Sequence, residues 1–255
     1  MLKGLSVRRF LLCFFILLFE SNASLALSTL SQLQPVFTFT MGASISQLGQ
    51  SASFAPLDLC SYHYKPKDSN TTNMLWGGFV GSEVKRSPSW GFIAGLGYYQ
   101  PNYLSTKGAL TQGADADSSD TYSYRYRTQS QQWLVEGKLY WIAKEKIQPF
   151  LMVGMGAAVN NTSNYQTSVP PFLEFTPAFS NHAQTNFTYA IGPGIDISLS
   201  KSFRIGVAYR FTDLGSVNTG SAQIDAIPIS STLKQSHLYA NQILAQVTFI
   251  PWTKD

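Results

Sequence analysis

Three histidines, His63, His182 and His237, are the side chains of this 255-residue chain whose ordinary pKa lies nearest neutrality. Nucleophilic chemistry would set one of them beside a hydroxyl and an acid. Their contexts read His63-Tyr64-Lys65, His182-Ala183-Gln184 and His237-Leu238-Tyr239, with no serine two residues on. Asp115, Asp117 and Asp120, with Ser118 and Ser119, form an acidic cluster that could ligate a divalent cation. The spacing lacks the glycine and terminal glutamate of an EF-hand loop, so a solvated acidic loop is the expectation. Cys60 is the one cysteine beyond the N-terminal apolar run, which excludes an intrachain disulfide and a thiolate metal cluster from the rest of the chain. Enzyme activity, a cofactor and a metal are therefore not expected. A different set of charges stands out. Glu83, Glu136, Lys138, Asp196, Arg204 and Arg210 sit singly inside runs that are otherwise apolar or glycine-rich.

Those runs alternate. Phe203–Phe211 places Phe203, Ile205, Val207, Tyr209 and Phe211 on one side of an extended strand and Arg204, Gly206, Ala208 and Arg210 on the other. The same period of two recurs in Phe37–Ser46, Met74–Val84, Trp90–Tyr99, Trp133–Trp141, Phe150–Val159, Phe187–Ser198 and Tyr239–Phe249. This predicts about eight strands of roughly ten residues, the length a tilted membrane-crossing strand needs. Lys85–Ser89, Ala143–Lys146 and Ser200–Ser202 read as tight turns. The segments around Gln50–Thr72, Pro101–Asp120, Asn161–Gln184 and Ser216–Ser236 read as long polar loops. Short turns at one end and long loops at the other describe an antiparallel up-and-down transmembrane β-barrel, with both termini at the short-turn end.

The N-terminus fits an exported chain. Lys3, Arg8 and Arg9 precede the apolar run Phe10–Phe19, and Ser24-Leu25-Ala26 offers a small-residue cleavage site, so residues 1–26 are expected to be a cleaved signal peptide and 27–255 the barrel domain. The apolar run is too short for a spanning helix. Loss of the signal removes three cations and Glu20, lowering the formal charge of +4 by two. No block of like charge suggests nucleic acid. Charged residues make up only 13% of the chain, about half the usual share of a soluble domain, while aromatics reach 14%.

Alternation by itself also fits a soluble sandwich. The non-apolar face decides between them, because it is crowded with glycine and alanine rather than lysine, glutamate and asparagine. Glycine weakens a strand, but the interior of an eight-stranded barrel has room only for packed side chains. The apolar face is therefore expected to meet lipid. The six ionic residues then point into the bore as a balanced cluster of three acids and three bases, whose pairing is not readable from the chain. Their expected role is packing and solvation of the lumen, with a gated ion path as the alternative. A register slip of one residue would send each arginine into lipid at about 2–4 kcal/mol near the midplane.

The stretches "RIGVAYRFTDLG" (204–215) and "AIGPGIDISLS" (190–200), a Gly-x-x-Tyr-Arg-Phe strand after a glycine-rich strand and a Ser/Lys turn, resemble the last hairpins of the OmpA/OmpX-like and opacity-type small outer-membrane barrels. In layout the resemblance runs from Val36 to Trp252. It implies a monomeric eight-stranded barrel in the outer membrane of a Gram-negative bacterium, placed there by the outer-membrane insertion machinery and surrounded by lipid and lipopolysaccharide. The role it implies is envelope integrity, adhesion or host contact through the loops; a small gated porin is the alternative, and a lipid-modifying enzyme a more distant one. Small-barrel lipid A deacylases carry a His-x-Ser pair that this chain lacks. Phe249 suits the terminal aromatic of an insertion signal, but Pro251, Trp252 and Thr253-Lys254-Asp255 follow it. No peptidoglycan-binding domain is expected. In the third long loop, Pro170, Pro171, Phe172, Phe175 and Phe179 form an apolar, proline-rich segment that either folds against the barrel rim or offers a contact surface to a host or surface ligand. In the second, Tyr122, Tyr124 and Tyr126 with Arg125 and Arg127 are expected to prolong the following strand above the membrane, in reach of sugar headgroups.

Overall fold

The computed structural model describes residues 34–57, 60–67, 70–113, 120–143, 146–170 and 176–251. The expected signal peptide, Asp115, Asp117, Pro171, Phe172 and Phe175 lie outside them.

Alternating sequence becomes strand wherever it occurs. Eight strands form the barrel: β1 (Gln34–Gln47), β2 (Asn70–Ser87), β3 (Trp90–Pro101), β4 (Asp120–Trp141), β5 (Ile147–Thr167), β6 (His182–Ser198), β7 (Phe203–Asp213) and β8 (Tyr239–Phe249). Each pairs antiparallel with the next in the chain. The last then returns to the first, with Phe37 opposite Phe249 and Ser46 opposite Ala240. The ring is closed, so no barrel edge is left unpaired.

The register keeps every apolar row outside. Phe39, Val80, Leu96, Trp133, Met155, Phe187, Val207 and Ile243 are each more than half exposed. Arg204 and Arg210, on the opposite face of β7, are 5% and 0% exposed. Aromatic rings collect at both ends of this apolar belt. Tyr98 lies between Trp76 and Trp133, with ring centroids 5.8 and 4.6 Å away, toward the long-loop end. Trp90 opposite Trp141, and Phe203 against Phe249 at 4.9 Å, mark the short-turn end. Such girdles sit at the membrane–water boundaries.

The long loops differ from expectation. They are largely sheet rather than polar coil, and β4 and β5 run for 22 and 21 residues, about twice the expected length. A 22-residue strand reaches roughly 70 Å, far beyond an apolar band about 25 Å tall. Strands Ala52–Leu57, Cys60–Pro66 and Leu104–Gly113 extend the sheet along the upper part of β4. The cause is that alternation continues past the membrane: Tyr124, Tyr126, Tyr62, Tyr64 and Leu110 all face one side and bury a second core with Phe179, Ile224 and Leu233. Above it, Ala178–Phe179, Ala222–Ile224 and Ile227–Ile229 make a small three-stranded sheet. Its two-residue turn, Asp225-Ala226, has positive φ at both positions (47° and 63°), the primed geometry that suits a twisted hairpin.

Because Val207 faces lipid near mid-belt, Val207→Lys should cost about 2–4 kcal/mol of folding free energy in a bilayer. Denaturant titration of the protein refolded into vesicles measures this, and an unchanged midpoint would contradict the assignment of faces.

Candidate functional site

The bore is where the structure gathers charge. On β4, Glu136, Lys138 and Tyr140 share the inward parity; β7 supplies Arg204 and Arg210, β6 Asp196, and β2 Glu83. They pair off in three rungs. Nearest the short turns, one Nη of Arg204 donates to both carboxylate oxygens of Glu83, at 2.9 and 2.8 Å, and Tyr140 Oη donates to the same carboxylate. Next, Lys138 Nζ meets Asp196 Oδ2 at 2.5 Å, Gln246 Nε2 donates to Asp196 Oδ1, and the lysine lies 3.7 Å over the Phe150 ring. Furthest in, Arg210 stacks 3.6 Å over Tyr99, donates from Nε to Gln242 at 2.6 Å, and stands 3.5 Å from Glu136. Tyr99 Oη donates to the other Glu136 oxygen at 2.9 Å.

All six ionic residues expected in the bore therefore lie there, in contact, as three neutral pairs. Tyr99, Tyr140, Gln242 and Gln246 join the pairs as uncharged partners; the period of two puts them on the inward face, but nothing in their types marks them as partners of an ion. Bulk explains the glycines between them. A Cβ on Gly206 would fall on Asp196 Oδ1, and one on Gly97 would press against Tyr99 and the Glu136 carboxylate. Two side chains this large fit side by side only where the neighbouring wall has none. A cavity between Thr38, Tyr99, Glu136, Lys138 and Phe150 measures about 30 Å³, room for about one or two waters.

The histidines hold no catalytic set among the described residues. His63 Nδ1 meets Ser53 Oγ at 2.8 Å on the outer surface, and His237 Nδ1 meets Asp213 Oδ2 at 2.9 Å at the barrel rim, its ring stacked on Tyr239. One histidine has the hydroxyl and another the carboxylate. No group of three or more metal-ligating side chains occurs among the described residues.

In the third loop one residue, Phe179, takes the alternative of folding inward and not that of a contact surface. Phe179, grouped with the candidate contact residues, is 6% exposed and packs against Tyr165, Tyr64 and Phe54 with centroids 4.9, 5.8 and 6.2 Å apart. It is an internal strut, because the tyrosines of the extended strands offer it a dry partner. Pro170 is half-buried. Tyr124 and Tyr126 belong to the same core, which removes them from reach of sugar headgroups.

Residues 23–232 match the family described as outer membrane protein beta-barrel domain, and β8, which closes the ring, follows that span. Similar solved structures include OprG from Pseudomonas aeruginosa (11% identity, 86% of this chain and 98% of that one, TM-score 0.47). The outer-membrane protease OmpT from Escherichia coli (7%, 85% and 96%, TM-score 0.47) and Neisserial surface protein A (9%, 84% and 96%, TM-score 0.38) are further examples. No curated protein sequence matches the chain.

Removing one partner of a buried pair strands the other charge, which costs about 3–5 kcal/mol, whereas neutral replacement of both can be nearly neutral. Arg210→Met should therefore lower stability in vesicles by about that amount, and the double variant Glu136→Gln/Arg210→Met should regain most of it. A double variant as unstable as the single one would refute the pairing.

Proposed function

The chain belongs to the outer membrane protein beta-barrel domain family and resides in the bacterial outer membrane, and we propose that it serves there as a non-conducting, non-enzymatic barrel that holds a rigid platform at the cell surface for envelope or host contact. The filled bore carries this reading. Three neutral ion pairs and their tyrosine and phenylalanine partners occupy the lumen, and the cavity beside Glu136 and Lys138 measures about 30 Å³.

A gated channel would have to part these rungs. Each parting leaves a buried charge uncompensated at about 3–5 kcal/mol. The platform is equally fixed. Burial drives the Tyr64, Tyr124 and Tyr165 hydroxyls well above the ordinary tyrosine range, so the aromatic core stays neutral at any physiological pH. Tyr64 and Tyr165 share a hydrogen bond at 3.2 Å across it.

Purified, refolded protein should give no conductance steps in planar bilayers at either polarity, and steps that scale with added protein would overturn the closed-bore reading. For the surface role, a Gly-Ser linker in place of residues 170–176 leaves Phe179 in the core. This variant should keep the heat-modifiable gel shift of a folded barrel while binding of host cells by bacteria displaying it falls at least severalfold. Binding equal to that of the unaltered chain would take the contact away from this loop.

A further inference from the structure

Along β4 the outward positions change character with height. Trp133 and Val135 are exposed on the lipid-facing side; Arg125 and Arg127 are exposed on the same side of the same strand, nearer its surface end. Arg125 stands directly opposite Lys107. The Lys67 amide donates to the Lys107 carbonyl at 2.9 Å, which sets Lys67 next in the same cross-strand row. Directly opposed residues have Cβ atoms about 5 Å apart. Three cations thus stand side by side across three strands, with Arg127 diagonal to Lys107.

Like charges opposite one another are destabilising, and nothing described offsets these. Among the described residues none of the four is in an ion pair. Among the described residues of these three strands the carboxylates are Asp120, at the far tip of the hairpin and paired with Gln112, and Glu136, inside the bore. Arg125 is instead anchored by a polar contact, its Nε donating to Gln166 at 2.7 Å. The strand beside it bulges. Arg125 opposes Gln166 while Arg127 opposes Ser163, and Asn164 between them takes a φ of 55°. Bulges re-aim side chains. This one borders a groove of about 300 Å³ between Arg125, Arg127, Asn164 and Gln166. A second groove of about 440 Å³ lies between Lys67, Lys107, Arg125 and Ser168.

The row points sideways, over the membrane, rather than up into the medium. Arg127 and Arg125 lie roughly 15–20 Å above Trp133, taking the rise per residue and the usual strand tilt. That is the layer of phosphorylated sugars in an outer leaflet built of lipopolysaccharide. We propose that Lys67, Lys107, Arg125 and Arg127 bind the phosphate groups of lipopolysaccharide molecules packed against this flank. Guanidinium forks bind phosphate oxygens two at a time, and lysines add point charge. The site needs only the outer-membrane placement; a conducting bore would leave it untouched.

The full chain, refolded into phosphatidylcholine nanodiscs containing either lipopolysaccharide or the same material dephosphorylated, provides the test. Native mass spectrometry reads the fraction of barrels retaining the glycolipid. Lys107→Gln/Arg125→Gln/Arg127→Gln is the comparison, its folding checked by heat-modifiable gel mobility, with Arg125→Gln alone in reserve should the triple variant misfold. Retention should fall at least tenfold in the triple variant, and by a similar factor for the unaltered chain when the phosphates are removed, with no further loss when the two changes are combined; it should also weaken in 0.5 M NaCl, as screened charge contacts do. Retention within twofold in the variant, or without regard to phosphate, overturns the proposal. So does competition by inorganic phosphate or pyrophosphate at concentrations equal to those of the lipid-borne groups, which would assign the row to a soluble anion. Tighter binding of heparin than of lipopolysaccharide would assign it to a sulfated glycan and overturn it likewise.

Discussion

Hydrocarbon offers a peptide group no hydrogen bond. Every N–H and C=O that crosses a membrane must be satisfied within the protein, at a cost of several kcal/mol for each failure. A sheet meets that demand only by closing, and the pairing of β8 with β1 does so. Closure then determines the two faces. One is wetted by acyl chains and carries Phe39, Val80, Val207 and their neighbours; the other curls around a bore too narrow for solvent to fill freely.

Inside that bore the three ion pairs are no plain gain in stability. Taking six charges from water is expensive, and apolar residues of the same volume could pack as well. What apolar residues could not do is penalise the wrong register. A slip of one residue along β7 would expose Arg204 and Arg210 to lipid and turn Ile205 and Val207 inward against the carboxylates. The rungs also make sense of the glycines. Arg210 on Tyr99, and Asp196 beside Gly206, are close approaches that a side chain on the neighbouring wall would forbid.

Above the membrane the solvent reverses and the pattern does not. β4 passes from lipid into water without a break, keeping one parity inward throughout. Tyrosines replace the charged rungs on the inner side, where loops rather than a narrow wall cover them, and arginines replace tryptophan and valine on the outer side. Sheet propensity and amphipathic pattern are enough to carry a strand roughly twice the length that spanning requires. The surface region is for this reason a continuation of the barrel sheet, with an aromatic core of its own, and not a set of loose loops.

The number of barrel strands, the inward and outward parity of their residues, the alternation of short and long connections, and the inward placement of Glu83, Glu136, Lys138, Asp196, Arg204 and Arg210 were all legible in the chain; the strands within the long connections were not. They follow from a period of two and from side-chain polarity, both local properties. Which acid meets which base was not legible, because Glu83 and Arg204 are brought together by the curvature of the closed ring and not by spacing. The same holds above the membrane. The apolarity of Phe179 was plain, but its partners Tyr64 and Tyr165 come from two other strands, one of them more than a hundred residues away, and the row of Lys67, Lys107 and Arg125 exists only because three strands align in register. Pattern along the chain determined the faces; the distances across a closed, extended sheet decided the contacts.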